Sequence, residues 1–295
     1  MGQILAVIRY NFLGLWKNPR MILAFLLEFV LCYLLSGRIM VVIDAYGTPV
    51  QAAEPFLWTF GDGTSVLLSS LLLLLIFSDL PKLSPVSPFY LLRMTKKRWL
   101  LGQLGYVICI TGIYTAGMFL FTMVLCVKYS FTGNIWSETA AMLAYSKLGE
   151  ELCVPSTVKV MESISPYGCM IQVALLIFFY SLTLSFLILT GNLLLGKNRG
   201  MLLGLFYSLY GFLLDPRVLG KLLGMESYEM YKVNVLVGWI SPLSHSVYAK
   251  HNFGYDRMPT VGQSCLVYGD ILLLLSFASM WGLKRYQFTF LGEKE

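Results

Sequence analysis

Six stretches of the chain, near residues 21–43, 58–80, 99–127, 167–195, 200–215 and 262–283, are apolar over lengths close to the roughly 20 residues that a helix needs to cross a bilayer. Inside lipid every backbone N–H and C=O must be satisfied within the protein, which favours helices. The fold class expected is therefore an all-α membrane protein with six transmembrane helices. Of 295 residues 57% are hydrophobic and only 13% charged, against roughly 45–50% and 25% in ordinary soluble domains. Six spans use most of the chain, so residues 1–295 are read as a single transmembrane domain with no room for a large soluble one.

The net charge of +6 does not point to nucleic acid once it is located. Basic residues beside spans report orientation. With both termini cytoplasmic, the inner segments hold thirteen of the 22 basic residues, including Lys17, Arg20, Lys82, Arg93, Lys96, Lys97 and Arg98, although the outer segments are about twice as long. That bias favours a multi-pass protein of the cell membrane with both ends inside. The six cysteines form no CxxC pair and lie mostly in apolar runs, so they read as packing residues. No cofactor or metal is expected.

Residues 1–18 place Ile4, Val7, Ile8, Phe12, Leu15 and Trp16 toward one side of a helix, with Gln3, Arg9, Asn11 and Lys17 outside the stripe. This segment is read as an interfacial helix lying on the inner leaflet. Asn18-Pro19 then supplies an N-cap and a first-turn proline, so span 1 starts there. Between spans 2 and 3 lies the basic loop 78–98, in which Ser87-Pro88 opens a short helix with an apolar surface from Phe89, Tyr90 and Leu91. Spans 3 and 4 are joined by the external loop 128–166, where Ser137 precedes a small helix. Spans 4 and 5, joined only through Lys197-Asn198-Arg199, must be antiparallel neighbours. In 216–261 two apolar pieces too short to cross flank Ser241-Pro242, which reads as a re-entrant helical hairpin before the last span.

Catalytic signals are weak. Gly191 to Lys197 matches G-x-x-x-x-G-K, but it ends an apolar helix and lacks the Ser or Thr that would ligate Mg²⁺, so a nucleotide site is rejected. His245 and His251 are the only histidines and are not one helical turn apart, so they read as external loop residues. Glu28 and Asp270 fall within spans, where carboxylates normally turn into the bundle. They sit at different depths, which argues against a mutual pair. Each is expected either to line a polar path or, with more weight, to accept a hydrogen bond from Ser, Thr or Tyr on a neighbouring helix. Gly200, Gly204, Ser208 and Gly211 form a small-residue stripe on span 5 that permits close approach of another helix, in this chain or in a second copy.

This order of parts, with Phe77 to Pro81, Arg93 to Gln103 and Trp239 to His245, resembles the membrane subunit of ABC-2 type transporters, especially small permeases of Gram-positive bacteria. The resemblance implies a translocation path, an exporter direction, and coupling to a separate ABC ATPase subunit in two copies, which would carry out ATP hydrolysis. It also implies a second copy of this chain or a homologous permease, paired through spans 1 and 5. Ser87, Pro88, Phe89, Tyr90 and Arg93 would form the ATPase-coupling helix. Trp239, Ser241, Pro242 and His245 would belong to an extracellular gate. The alternative class is a membrane protein without an ATPase, such as a secondary transporter or a toxin-immunity protein. A secondary transporter is expected to show internal repeats, and none is evident.

Overall fold

The computed structural model describes residues 2–288 except 16, 84–86, 147, 152, 153, 197, 215 and 287, with the backbone alone described at 90, 150 and 227. Helix α1 (Gly2–Leu13) lies along α6 (Lys96–Cys126): a Cβ at Gly102 would meet Val7, one at Gly105 would meet Ile8, and Phe12 stands edge-on to Tyr106 with ring centroids 5.4 Å apart. Asn11 departs from its expected place outside the apolar stripe. It is buried, and its Nδ2 donates to Gln103 Oε1 at 3.3 Å. The inward face of α1 is thus stapled to the bundle by a polar contact as well as by packing.

Asn18 starts the first long helix as expected, its side chain accepting from the Arg20 N–H at 3.1 Å. Helix α2 (Pro19–Tyr46) ends at Gly47, whose φ of 63° suits a left-handed cap. The two-residue strands β1 (Val50–Gln51) and β2 (Ser130–Phe131) pair in parallel. The run expected to be one span at 58–80 is instead broken: α3 (Glu54–Phe60) meets α4 (Gly63–Phe77) at 84°. The break is local chemistry, because Asp62 in extended conformation caps α4 by accepting from the Ser65 N–H at 3.3 Å. Helix α5 (Ser87–Leu91) precedes α6, which is capped by Thr95.

The loop 128–166 carries α7 (Glu138–Tyr145), capped by Ser137, with α8 (Leu148–Glu151) and α9 (Val158–Ser163). Helix α10 (Pro166–Leu195) turns sharply into α11 (Arg199–Leu213), with Gly196 at φ 101° and Asn198 at φ 70°. The two are antiparallel neighbours as expected; Lys197 itself lies outside the described residues. Then follow α12 (Pro216–Leu222), α13 (Met230–Ile240), α14 (Pro242–Ser246) and α15 (Val261–Arg285), the last opened by a capping box between Thr260 and Gln263.

Among the described residues four helices are long and apolar enough to cross a membrane: α2, the segment Lys96–Tyr129, α10 and α15. The bent pairs α3–α4 and α11–α12, the second at 79°, raise the number to six if each pair is one span. Helix α10 is the centre of the bundle, touching α15, α11, α6, α4 and α14. Around it Trp99, Tyr106, Tyr114, Tyr180 and Tyr268 are fully buried.

Candidate functional site

The break expected at Ser241-Pro242 is present, and the structure shows what holds it. Ser241 ends α13, and its hydroxyl accepts from the Ser244 N–H at 3.2 Å to cap α14. The same hydroxyl donates to the carbonyl of Gly211 at 3.0 Å, satisfying a carbonyl in the last turn of α11. The Pro242 carbonyl accepts from the Tyr268 hydroxyl of α15 at 2.7 Å. Trp239 is partly exposed, with its indole N–H on the Arg257 carbonyl at 3.1 Å. The four residues expected at a gate therefore share one hairpin tip, anchored to α11 and α15.

His245 and His251 are not loop residues open to water, as their sequence context suggested. Both are buried and converge on the hydroxyl of Ser264 on α15: His245 Nδ1 at 2.7 Å and His251 Nε2 at 2.9 Å. Each ring's other nitrogen faces backbone carbonyls, of Trp239 at 3.0 Å for His245 and of Val247 and Tyr248 at 3.1 Å for His251. Those nitrogens therefore carry the protons. Burial is the main influence holding both imidazoles below their ordinary value of 6.5; at His251 the nearby positive charge of Lys159 adds to it. With both rings neutral, two acceptor nitrogens face one hydroxyl proton, so Ser264 serves them one at a time.

A serine beside an oriented histidine is also the arrangement of a nucleophile and its base. Here it is fully buried, and it joins the hairpin to α15.

At the other end of the bundle, Ser87 is buried, Pro88 is half-buried and Phe89 is 69% exposed, while Arg93 is exposed and the side chain of Tyr90 lies outside the described residues. The Arg93 carbonyl accepts from Gln3 Nε2 at 3.2 Å, and Gln3 Oε1 accepts from Arg98 at 2.8 Å. The turn after α5 and the first turn of α6 are thereby tied to the start of α1.

The small-residue stripe turns inward. A Cβ at Gly204 would meet Ile188 of α10 and Leu74 of α4, both at 2.9 Å, and one at Gly211 would meet Leu243 of α14 at 2.8 Å. Gly200 lies against the backbone of α10, and Ser208 accepts from Ser70 of α4 at 3.2 Å. All four are buried, so close approach occurs within the chain and this face is not available to a second copy.

Glu28 is buried between α2 and α6, where a Cβ at Gly117 would meet its Oε1 at 2.8 Å. Neither oxygen has a hydrogen-bond partner, contrary to the expected bond from Ser, Thr or Tyr. Asp270 is not turned into the bundle. It lies two residues, about 200° around a helix, from buried Tyr268, and it is exposed on the outer face of α15 beside Leu266, Leu273 and Leu274.

No family model, curated protein or solved structure matches this chain.

Among the described residues no three His, Cys, Asp or Glu are grouped to hold a metal, and the cysteines there are free. Two buried clusters were missed in the sequence. One is the Ser264 junction. The other is Glu54, whose carboxylate accepts from the Gln51 and Ser137 N–H groups, both at 2.8 Å, and from the Ser137 hydroxyl at 2.6 Å. Glu54 thus joins α3 to the start of α7.

Proposed function

We propose that the chain is the membrane-spanning permease subunit of an ABC-2 type transporter, working as an exporter. It would have six spans, both termini in the cytoplasm, and a separate ABC ATPase subunit in two copies. The observation that carries this reading is Phe89, an aromatic side chain 69% exposed on a short helix at the end of the bundle where Arg93, Lys96, Lys97 and Arg98 are also exposed. An apolar projection of that kind, rimmed by cations, suits a docking surface for a soluble partner. The tie from the turn that follows α5 through Gln3 to α1 gives the docked helix a lever on the bundle.

At the far end, the hairpin of α13 and α14 has the place of an extracellular gate. Two copies would pair through the outward faces of α2 and α11, where Leu26, Phe29 and Tyr33 and then Leu202, Phe206 and Leu213 are exposed, and not through the glycine stripe. Tagged chain purified from its native membranes should bring down an ATPase subunit, and Phe89→Ala should lose it while the permease remains folded. Absence of any ATPase in the wild-type preparation sinks the proposal.

A further inference from the structure

At the end of the bundle that holds α1 and α5, a cavity of about 650 Å³ lies between α1, segment 78–83, Asn192 in the last turn of α10, and Tyr286. It sits where α2 begins and α4 and α10 end, hence at the depth of lipid headgroups for a bundle of this kind.

Lys82 is built into its wall. Its backbone N–H donates to Gln103 Oε1 at 3.3 Å and its carbonyl accepts from Gln103 Nε2 at 3.1 Å, with Gln103 fully buried on α6. Its ammonium donates to the Tyr106 hydroxyl at 2.5 Å and lies 4.5 Å from that ring's centroid. Among the described residues no carboxylate pairs with it, because the acid in the same wall, Asp79, is bound to Arg20 at 2.6 Å. Burial pushes the Lys82 pKa down, with Asp79 opposing. An ammonium has three donors, and a neutral phenol takes one. A fixed, half-buried cation with unused donors at the edge of a cavity is matched by an anion that brings several acceptor oxygens. Lys17 lines the same cavity and is exposed.

We propose that this cavity binds an anionic phosphate group, held by the Lys82 ammonium with Lys17 beside it, and supplied by a phospholipid headgroup of the adjacent leaflet.

The test is thermal melting of the purified full-length chain in detergent, titrated with phosphatidylglycerol, with diacylglycerol of the same tails, or with inorganic phosphate. Phosphatidylglycerol should raise the melting temperature and diacylglycerol should not. Lys82→Gln should need about tenfold more lipid for the same shift, the equivalent of one charge-assisted hydrogen bond, and Lys82→Arg should restore most of it. A second variant leaves Lys82 untouched: Gly14→Trp fills the cavity from α1, where a Cβ would meet only the Asn11 carbonyl at 3.8 Å, and it should abolish the shift. An equal response to inorganic phosphate keeps the phosphate site and moves its source to solution. Equal responses to phosphatidylglycerol and diacylglycerol, or unchanged lipid titrations in both Lys82→Gln and Gly14→Trp, overturn the proposal.

Discussion

His245 and His251 both lie within hydrogen-bond distance of the hydroxyl of Ser264, at 2.7 and 2.9 Å, so one side chain of α15 holds both ends of the turn that follows α13. His245 lies on α14, and His251 directly follows the 3-10 turn at Tyr248–Lys250. The residues around them are Trp239 and Tyr268 at His245, and Tyr248 and Lys159 at His251. Among the described residues no carboxylate is bonded to either ring, and Asp256 is paired with Lys159 at 2.7 Å.

Protonating either ring should therefore loosen the hairpin. Both folded-state pKa values lie below the ordinary 6.5, so below that pH the undocked state binds more protons and docking weakens as pH falls. Docking is complete above about pH 6.5. Amide hydrogen exchange over residues 241–251, compared between pH 7.5 and 5.5, checks this, and replacing both histidines by Gln should flatten the response. Ser264→Ala removes the one donor that the two buried ring nitrogens share and should cost about 1–3 kcal/mol at neutral pH, where both rings are neutral.

The glycine stripe gives a graded expectation. A methyl at Gly200 meets Asn192 N at 2.8 Å and the carbonyl of Ile188, which are backbone, whereas one at Gly204 meets only side-chain carbons of Ile188 and Leu74. Gly200→Ala should therefore lower the melting temperature more than Gly204→Ala, and Gly204→Leu should cost about 1–3 kcal/mol through overpacking. Cross-linking between copies from cysteines at 204 or 208 should fail, since both positions face α4 and α10. Efficient intermolecular products there would contradict the packing described.

Glu28 makes the opposite prediction. A buried carboxyl with neither oxygen bonded is replaced with a gain by an apolar side chain of similar length. Glu28→Met should raise stability by about 1–3 kcal/mol, measured as a shift in melting temperature. A fall would mean that the carboxyl has a partner in the native membrane. If transport is lost while stability rises, the carboxyl serves the transport path.

The long apolar helices were legible because a length of apolar residues is a property of a single segment, and so were Asn18, Ser137 and Ser241, whose caps depend on neighbours two or three residues away. The 84° bend between α3 and α4 was not read, although Asp62 carries a local signal for it. The burial of Asn11, His245, His251 and Glu54 was not legible, since each depends on a partner brought from a distant part of the chain: Gln103, Ser264 and Ser137. Asp270 misled for the same reason. Its place within a span was plain, but which side of α15 meets α10 is set by Ser264, Tyr268 and Ser279 together. The stripe on α11 was found correctly as a site of close approach; its partner was a matter of tertiary packing.

Helices α4 and α11 have 15 residues each, which at 1.5 Å per residue gives about 22 Å, short of the roughly 30 Å of a hydrocarbon core. Two short pieces of seven and five residues pack against them, α3 on α4 and α14 on both. Two kinds of movement follow from that construction. Displacing α14, whose five residues are buried, requires breaking the bonds from Ser241, Tyr268 and Ser264, a local opening of the hairpin. Any change that moves α10, packed on six other helices, belongs to the microsecond-to-millisecond scale of collective motion. The hairpin tip can therefore open as a local event that leaves the packing around the centre of the bundle in place.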